Sequence, residues 1–308
     1  MIRDWLELIR VPNVFTAIAD VMMGYFVVMR AADFDVSAGL TLGLLIAASS
    51  LFYSAGMALN DVFDYEEDCR DRADRPLPSG RISRSAASRL GWGLLLGGAA
   101  ASFLVSFLTA RWGALICGVG LCVLIWKYNA TIKRHAVAGP LALGACRFFN
   151  VLLGMSVVEL TVNLTPIAAV IGLYIVGVSF MARREADVDD SGVVPRGPIL
   201  LGMALSIAAV AFLAWLPAWQ PDAGQFFVQP GHWQAFVLVM SLLAAWRFLR
   251  ALVDPRPGVV QRAVGQSIAA LIVLDAGITL AVAGIVPGLA VLALIVPITL
   301  LRRWFYQT

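Results

Sequence analysis

Charge is what this sequence has least of. Only 14% of its 308 residues are Asp, Glu, Lys or Arg, while 60% are apolar. An ordinary soluble domain carries about 25% charged residues. A water-soluble globule needs a polar skin, and this chain cannot supply one. A disordered chain and a basic nucleic-acid binder are excluded too, since the formal net charge is only +3. Cysteine is scarce. Cys69, Cys117, Cys122 and Cys146 show neither paired metal spacing nor a disulfide framework. The two histidines, His135 and His232, have no serine or cysteine arranged beside them in sequence. A hydrolase triad therefore has no support, and no Walker-type glycine loop is present. The polar start, residues 1–13, does not read as a cleavable leader.

What is present is a row of apolar runs. A bilayer core takes about 20 apolar residues per helix. Candidate spans cover residues 12–29, 38–59, 86–108, 112–126, 137–158, 166–182, 198–216, 233–252, 264–286 and 288–301. The last two meet at Val286-Pro287-Gly288, as a tight hairpin or one broken element, so nine or ten spans are expected. The fold class is all-α: a polytopic bundle around a central cavity, one domain over 1–308. Residues 1–11 read as a short interfacial helix with Ile2, Trp5, Leu6 and Ile9 on its apolar side. Lys and Arg fix the orientation. Arg70, Arg72, Arg75, Arg81, Arg84 and Arg89 follow the second span; Lys127, Lys133 and Arg134 follow the fourth; Arg183, Arg184 and Arg196 follow the sixth. An inner-membrane protein is expected, with its N-terminus and its loops at 61–85 and 183–197 in the cytoplasm.

The second span ends in Asn60-Asp61-Val62-Phe63-Asp64-Tyr65-Glu66-Glu67-Asp68. Asp61, Asp64 and Asp68 are spaced i, i+3, i+7, which stacks them on one helix face. Three like charges there require a cation, and no run of lysines lies opposite at i+4. A divalent metal answers the need: Mg²⁺ takes one or two carboxylates together with phosphate oxygens and water. Asn60 adds a neutral oxygen. A second acidic cluster, Glu185, Asp187, Asp189 and Asp190, follows the sixth span on the same side. Two such clusters can hold metal on either side of one diphosphate, and cationic side chains stabilise the departing charge. Lys133 and Arg134 are on the correct side to do so. Asp20, Arg147 and Asp275 fall inside apolar spans, where ionisable groups pair or face a cavity. Arg147 can pair with either aspartate or touch substrate, Asn150 lies one helical step from it, and Asn13 and Arg10 start the first span near the diphosphate end.

Asn60-Asp61-x-x-Asp64-x-x-x-Asp68, followed by Asp74-Arg75-Pro76-Leu77-Pro78-Ser79-Gly80-Arg81, resembles the first signature of the UbiA superfamily of intramembrane prenyltransferases. Tyr128 followed by Lys133-Arg134 resembles that family's basic motif, with one extra residue between tyrosine and lysine. The family's second signature, a DxxxD pair, is altered here to Glu185-x-x-x-Asp189, with Asp187 and Asp190 as competing ligands. With Gly139-Pro140-Leu141 and the segment from Cys146 to Gly154, the chain looks most like the EboC-like branch. The resemblance implies Mg²⁺-dependent transfer of a prenyl group from an isoprenyl diphosphate to an acceptor, aromatic or otherwise lipid-soluble. It implies metal ligation by Asp61, Asp64, Asp68, Glu185 and Asp189. Catalysis would rest on the three aspartates and Lys133. Substrate contacts would come from Asn13, Asn60, Arg75, Tyr128, Lys133, Arg134, Arg147 and Asn150. A terpene cyclase on the same scaffold shares the first cluster, and a transport or non-catalytic protein would keep the fold without cleaving a diphosphate.

Overall fold

The computed structural model describes residues 2–29, 35–182, 194–219 and 226–305, and among them helix is the only regular structure. A short helix α1 (Ile2–Leu8) is followed by α2 (Val11–Val28), α3 (Val36–Phe63), α4 (Tyr65–Asp71), α5 (Arg84–Thr109) and α6 (Gly113–Ala130). Then come α7 (Ala138–Met155), α8 (Thr165–Ala182), α9 (Arg196–Phe212), α10 (Leu216–Trp219), α11 (Pro230–Val253), α12 (Pro257–Ala283), α13 (Ile285–Leu292) and α14 (Ile295–Leu301). Local chemistry sets several starts. Asp35 caps α3 by accepting from the Ala38 amide at 2.7 Å, and Ser83 caps α5 through the Ala86 amide at 3.3 Å. Proline opens α11 and α12, where its missing N–H costs no helical bond.

Nine of the described helices are long and apolar enough to cross a bilayer: α2, α3, α5 to α9, α11 and α12. The tenth expected span is a broken return. Gly284, at φ 95°, turns the chain after α12. The chain then comes back along α12 as α13 and α14. Pro297 forbids a continuous helix through Ala293, because its ring clashes with the carbonyl four residues earlier. The break between Leu292 and Ile295 lies there. Arg302, just past α14, reaches Asn13 at the start of α2, so this return ends where the chain began.

Helices α2, α7, α8 and α12 make the centre of the bundle. Helix α2 packs on α3, α7 and α12, and α8 packs on α7, α9 and α12. The α2–α7 contact is backbone against backbone. A Cβ at Gly24 would collide with the Val151 carbonyl, and one at Gly154 with the Val21 carbonyl. Small residues allow this approach where no hydrophobic force drives helices together. The outer faces of α5, α6 and α11 carry exposed Leu96, Phe103, Phe107, Ile116, Leu242 and Trp246, as a lipid-facing surface requires.

On α1, Ile2 is exposed and Trp5, Leu6 and, just past its end, Ile9 are partly covered, while Leu8 is buried with Ala58, Leu77, Ile82 and Ala87. Arg10 takes a left-handed conformation (φ 49°), which separates α1 from α2 and turns its own side chain inward.

Candidate active site

One end of the bundle gathers the C-termini of α3, α6 and α11, the N-termini of α2, α5, α7, α9 and α12, and the end of α14. The ends are joined by specific contacts: Arg10 to Asp61, Lys133 to Asp64, Val194 N–H to Pro255 O at 2.9 Å, and Arg302 to Gly265 O at 3.1 Å.

The expected single acidic helix face is bent. Helix α3 stops at Phe63, Asp64 sits at the junction (φ −92°, ψ 4°), and Asp68 belongs to α4. The amides of Asp64 and Asp68 still bond four residues back, so the three carboxylates remain neighbours across the bend. No run of lysines lies opposite on the helix, but single cations do meet each of the three acids. Arg10 Nη2 lies 3.3 Å from Asp61. Arg75 Nη1 lies 2.8 Å from Asp68 and 3.7 Å from Asp61. Lys133 Nζ lies 2.6 Å from Asp64, and Arg72, at i+4, lies 3.9 Å from Asp68. Arg10, Arg75 and Lys133 arrive from other elements, which is why a search along the helix alone misses them; Arg72 caps the helix that carries Asp68.

Burial separates the roles of the three acids. Asp61 and Asp68 are 5% and 3% exposed and are held by the buried Arg75. Asp64 keeps 19% of its side chain open and takes a 3.0 Å hydrogen bond from Asn60. The loop supplying Arg75 is fixed from both sides. Leu77 and Ile82 are buried beneath it, and Arg81 spans from Asp4 (2.7 Å) to the Asp74 carbonyl (2.6 Å). The hydrogen bond that Arg81 gives Glu7 raises its pKa, and burial only partly offsets this. At the α11–α12 junction, Arg256 hydrogen-bonds Asp254 and holds its carboxyl below the usual range.

Carboxylate and amide oxygens are the donors that Mg²⁺ prefers. Asp64 is open, and Asp61 and Asp68 share one guanidinium within reach. This fits a half-site completed by phosphate oxygens and water. It is not an all-protein cage: among the described residues, no group of three acidic, histidine or cysteine side chains converges to hold a metal. Glu185, Asp187, Asp189 and Asp190, expected to supply the second half, lie outside the described residues.

The remaining expected residues divide. Lys133 turns in to Asp64, whereas its neighbour Arg134 is exposed. Tyr128 is half-buried on α6, before the short turn that carries Lys133. Arg147 is engaged by Asp20 at 2.7 Å and Thr16 at 2.8 Å. Asn150 bonds the Ala17 carbonyl at 2.9 Å and accepts from Ser49 at 2.7 Å. These two polar groups tie α7 to α2 and α3. The sequence reading omitted Tyr53, whose ring centroid lies 5.8 Å from the Arg147 guanidinium. Its signal was its position seven residues before Asn60, two turns back on the same face of α3.

Comparison with known proteins agrees with this architecture. The UbiA prenyltransferase family matches residues 21–258. A digeranylgeranylglyceryl phosphate synthase of Methanobrevibacter smithii is 30% identical over 144 residues, 46% of this chain. The match spans about half of that relative's length, 48%. The enzyme of the same name from Ignicoccus hospitalis is 27% identical over 258 residues, 79% of either chain. The structure of a UbiA homologue from Archaeoglobus fulgidus bound to GPP and Mg²⁺ superimposes with a TM-score of 0.58 at 14% identity, covering 94% of this chain and 99% of that one.

Proposed function

Because the chain belongs to the UbiA prenyltransferase family, we propose that it transfers a prenyl group from an isoprenyl diphosphate to a lipid-soluble acceptor within the membrane, with Mg²⁺. The observation that carries this reading is the pairing of Asp64 with Lys133 at 2.6 Å, beside the Arg75-locked Asp61 and Asp68. Such a grouping would offer carboxylates to a metal and a cation to phosphate at one point. Similarity to digeranylgeranylglyceryl phosphate synthases, and to a fold that binds GPP with Mg²⁺, supports it.

Asp61, Asp64 and Asp68 would offer ligands to the metal together with phosphate oxygens and water, and Glu185 and Asp189, or Asp187 and Asp190, would supply the rest. Bound there, Mg²⁺ would supply Lewis-acid stabilisation of the leaving diphosphate. The chain's own residues do the rest. Lys133 is nearly buried and aims its ammonium at the same place, adding positive charge where negative charge develops. Arg75 fixes Asp61 and Asp68 in position. Asn60 orients Asp64. The Lys- and Arg-rich loops at this end support a cytoplasmic location for it.

The test is diphosphate release from protein in lipid nanodiscs, with geranyl, farnesyl and geranylgeranyl diphosphates, a membrane-lipid extract, and Mg²⁺ or EDTA. Metal-dependent release with a prenylated lipid product is expected. Release with a cyclised hydrocarbon and no adduct would replace transfer by cyclisation.

A further inference from the structure

The transfer mechanism makes no use of three ionisable groups inside the bundle: Asp20 on α2, Arg147 on α7 and Asp275 on α12. Both aspartates are fully buried, at 0% exposure. Asp20 lies nine residues from the start of α2, and Asp275 eight before the end of α12, so both are deep in their spans. Two acids and one base leave one surplus negative charge. Arg147 is committed to Asp20: its Nη1 lies 2.7 Å from Asp20 Oδ2, and its Nη2 gives Thr16 a hydrogen bond at 2.8 Å. Asn150 gives the same Oδ2 a second bond at 3.3 Å. Among the described residues, Asp20 Oδ1 receives no hydrogen bond, and neither does either oxygen of the Asp275 carboxyl.

Helix α12 packs on α2, α8, α11, α13 and α14, and none of them brings Asp275 a cation. From α2 comes Asp20, while the Tyr25 hydroxyl is spent on the Ala38 carbonyl at 2.9 Å. Tyr174 of α8 donates to the Ser267 carbonyl at 2.9 Å, two turns of α12 away. On α11, His232 is exposed, and Arg247 and Arg250 lie in the last two turns, beside the start of α12 and not its end. Helices α13 and α14 carry no titratable side chain. On α12 itself the other charge is Arg262, thirteen residues earlier, and Thr279 gives its hydroxyl to the Asp275 backbone carbonyl at 2.7 Å. An ionised carboxylate left so is far costlier than a neutral one. One proton resolves the arrangement. It cancels the surplus charge and, carried on one carboxyl, supplies the donor that Asp20 Oδ1 lacks. The two carboxyls lie within hydrogen-bond reach across the α2–α12 contact.

We propose that Asp20 and Asp275 form an intramembrane proton-binding site, in which one proton joins α2 to α12 through a carboxyl–carboxylate hydrogen bond and leaves Arg147 to Asp20. The site is independent of the prenyl-transfer reading. It makes the joint between these two helices sensitive to pH. The folded protein holds a proton that the exposed carboxyl of an unfolded chain releases. The stability this contributes is therefore fully present below the ordinary carboxylate range, and it is lost as rising pH ionises the pair. Two carboxylates would then oppose one guanidinium.

Infrared spectroscopy of protein with isotope-labelled aspartate carboxyls tests this, in nanodiscs of ether lipid, which has no ester carbonyl to mask the signal. At about pH 7.5 exposed carboxyls are ionised. The wild-type protein should nevertheless show the carbonyl stretch of a protonated aspartic acid, in sodium buffer and in N-methylglucamine buffer alike. Asp275→Asn should lose that band, its amide hydrogen-bonding Asp20 in place of the proton. Its thermal midpoint should also fall less steeply with rising pH than that of the wild type. Asp20→Asn should lose the band as well, because Asp275 then ionises as the counter-ion of Arg147; this variant serves if the first does not fold. Absence of the band from the wild type overturns the proposal without any variant. So does a band that survives in either variant, or an equal pH slope of the midpoint in wild type and Asp275→Asn. A band seen only when sodium is withheld also overturns it, and would assign the two carboxylates to a monovalent cation.

Discussion

Of the three aspartates, Asp64 is the one that combines exposure with a close lysine. Asp61 and Asp68 are buried against Arg75, and their charges have been taken up by the fold; Asp64 meets Lys133 at the opening. Asp64→Asn keeps the size and the hydrogen bond from Asn60 but removes the charge. Diphosphate release should fall about a hundredfold or more, the scale of losing a preorganised electrostatic group, while the thermal midpoint in nanodiscs changes little. Unchanged release would remove Asp64 from the metal site. The acidic positions were legible in the sequence because their spacing is local. Their partners were not. Arg10 reaches Asp61 across 51 residues only because the chain reverses at a left-handed residue.

At the scale of elements, the α2–α7 pair governs the geometry. Its backbones touch at Gly24 and Gly154, and the same contact aligns Arg147 with Asp20 and Thr16. Gly154→Ala should drive the helices apart, since the added methyl meets backbone and not a flexible side chain. A destabilisation of roughly 1–3 kcal/mol is expected, the range for overpacking, read as a lowered thermal midpoint in nanodiscs. Gly97→Ala, whose Cβ would first meet the Leu51 side chain at 3.5 Å, is the control and should be near neutral. The spans themselves were legible to within a few residues, because apolar length sets them. The break in the last one was visible only as Pro287 and Pro297. That it returns along α12 depends on packing against α2 and α12.

For the whole molecule, the placement of positive charge predicts a cytoplasmic acidic end, and Cys69 tests it. Cys69 is exposed at the acidic end, on α4, whereas Cys117 is buried and Cys122 and Cys146 are partly covered. A membrane-impermeant thiol reagent should label Cys69 in inverted vesicles and not in intact cells. Labelling from the outside would reverse the assigned topology. The loop arginines also have structural duties. Arg75 and Arg81 bind Asp68, Asp61 and Asp4, so the residues that signal orientation also build the site floor.

The sequence by itself determined the class, the spans and the first acidic motif, because hydropathy, Lys/Arg placement and i, i+3, i+7 spacing are properties of neighbouring residues. Its motifs also carried the family, through residues 60–81 and the Tyr128–Lys133 pair. Only the tertiary structure decided which cation meets which carboxylate, and that Asn150 joins three helices. Those facts are contacts between residues dozens to hundreds of positions apart, as Asn13 and Arg302 show. No periodicity along a chain encodes them; the close packing of α2 against α3, α7 and α12 does.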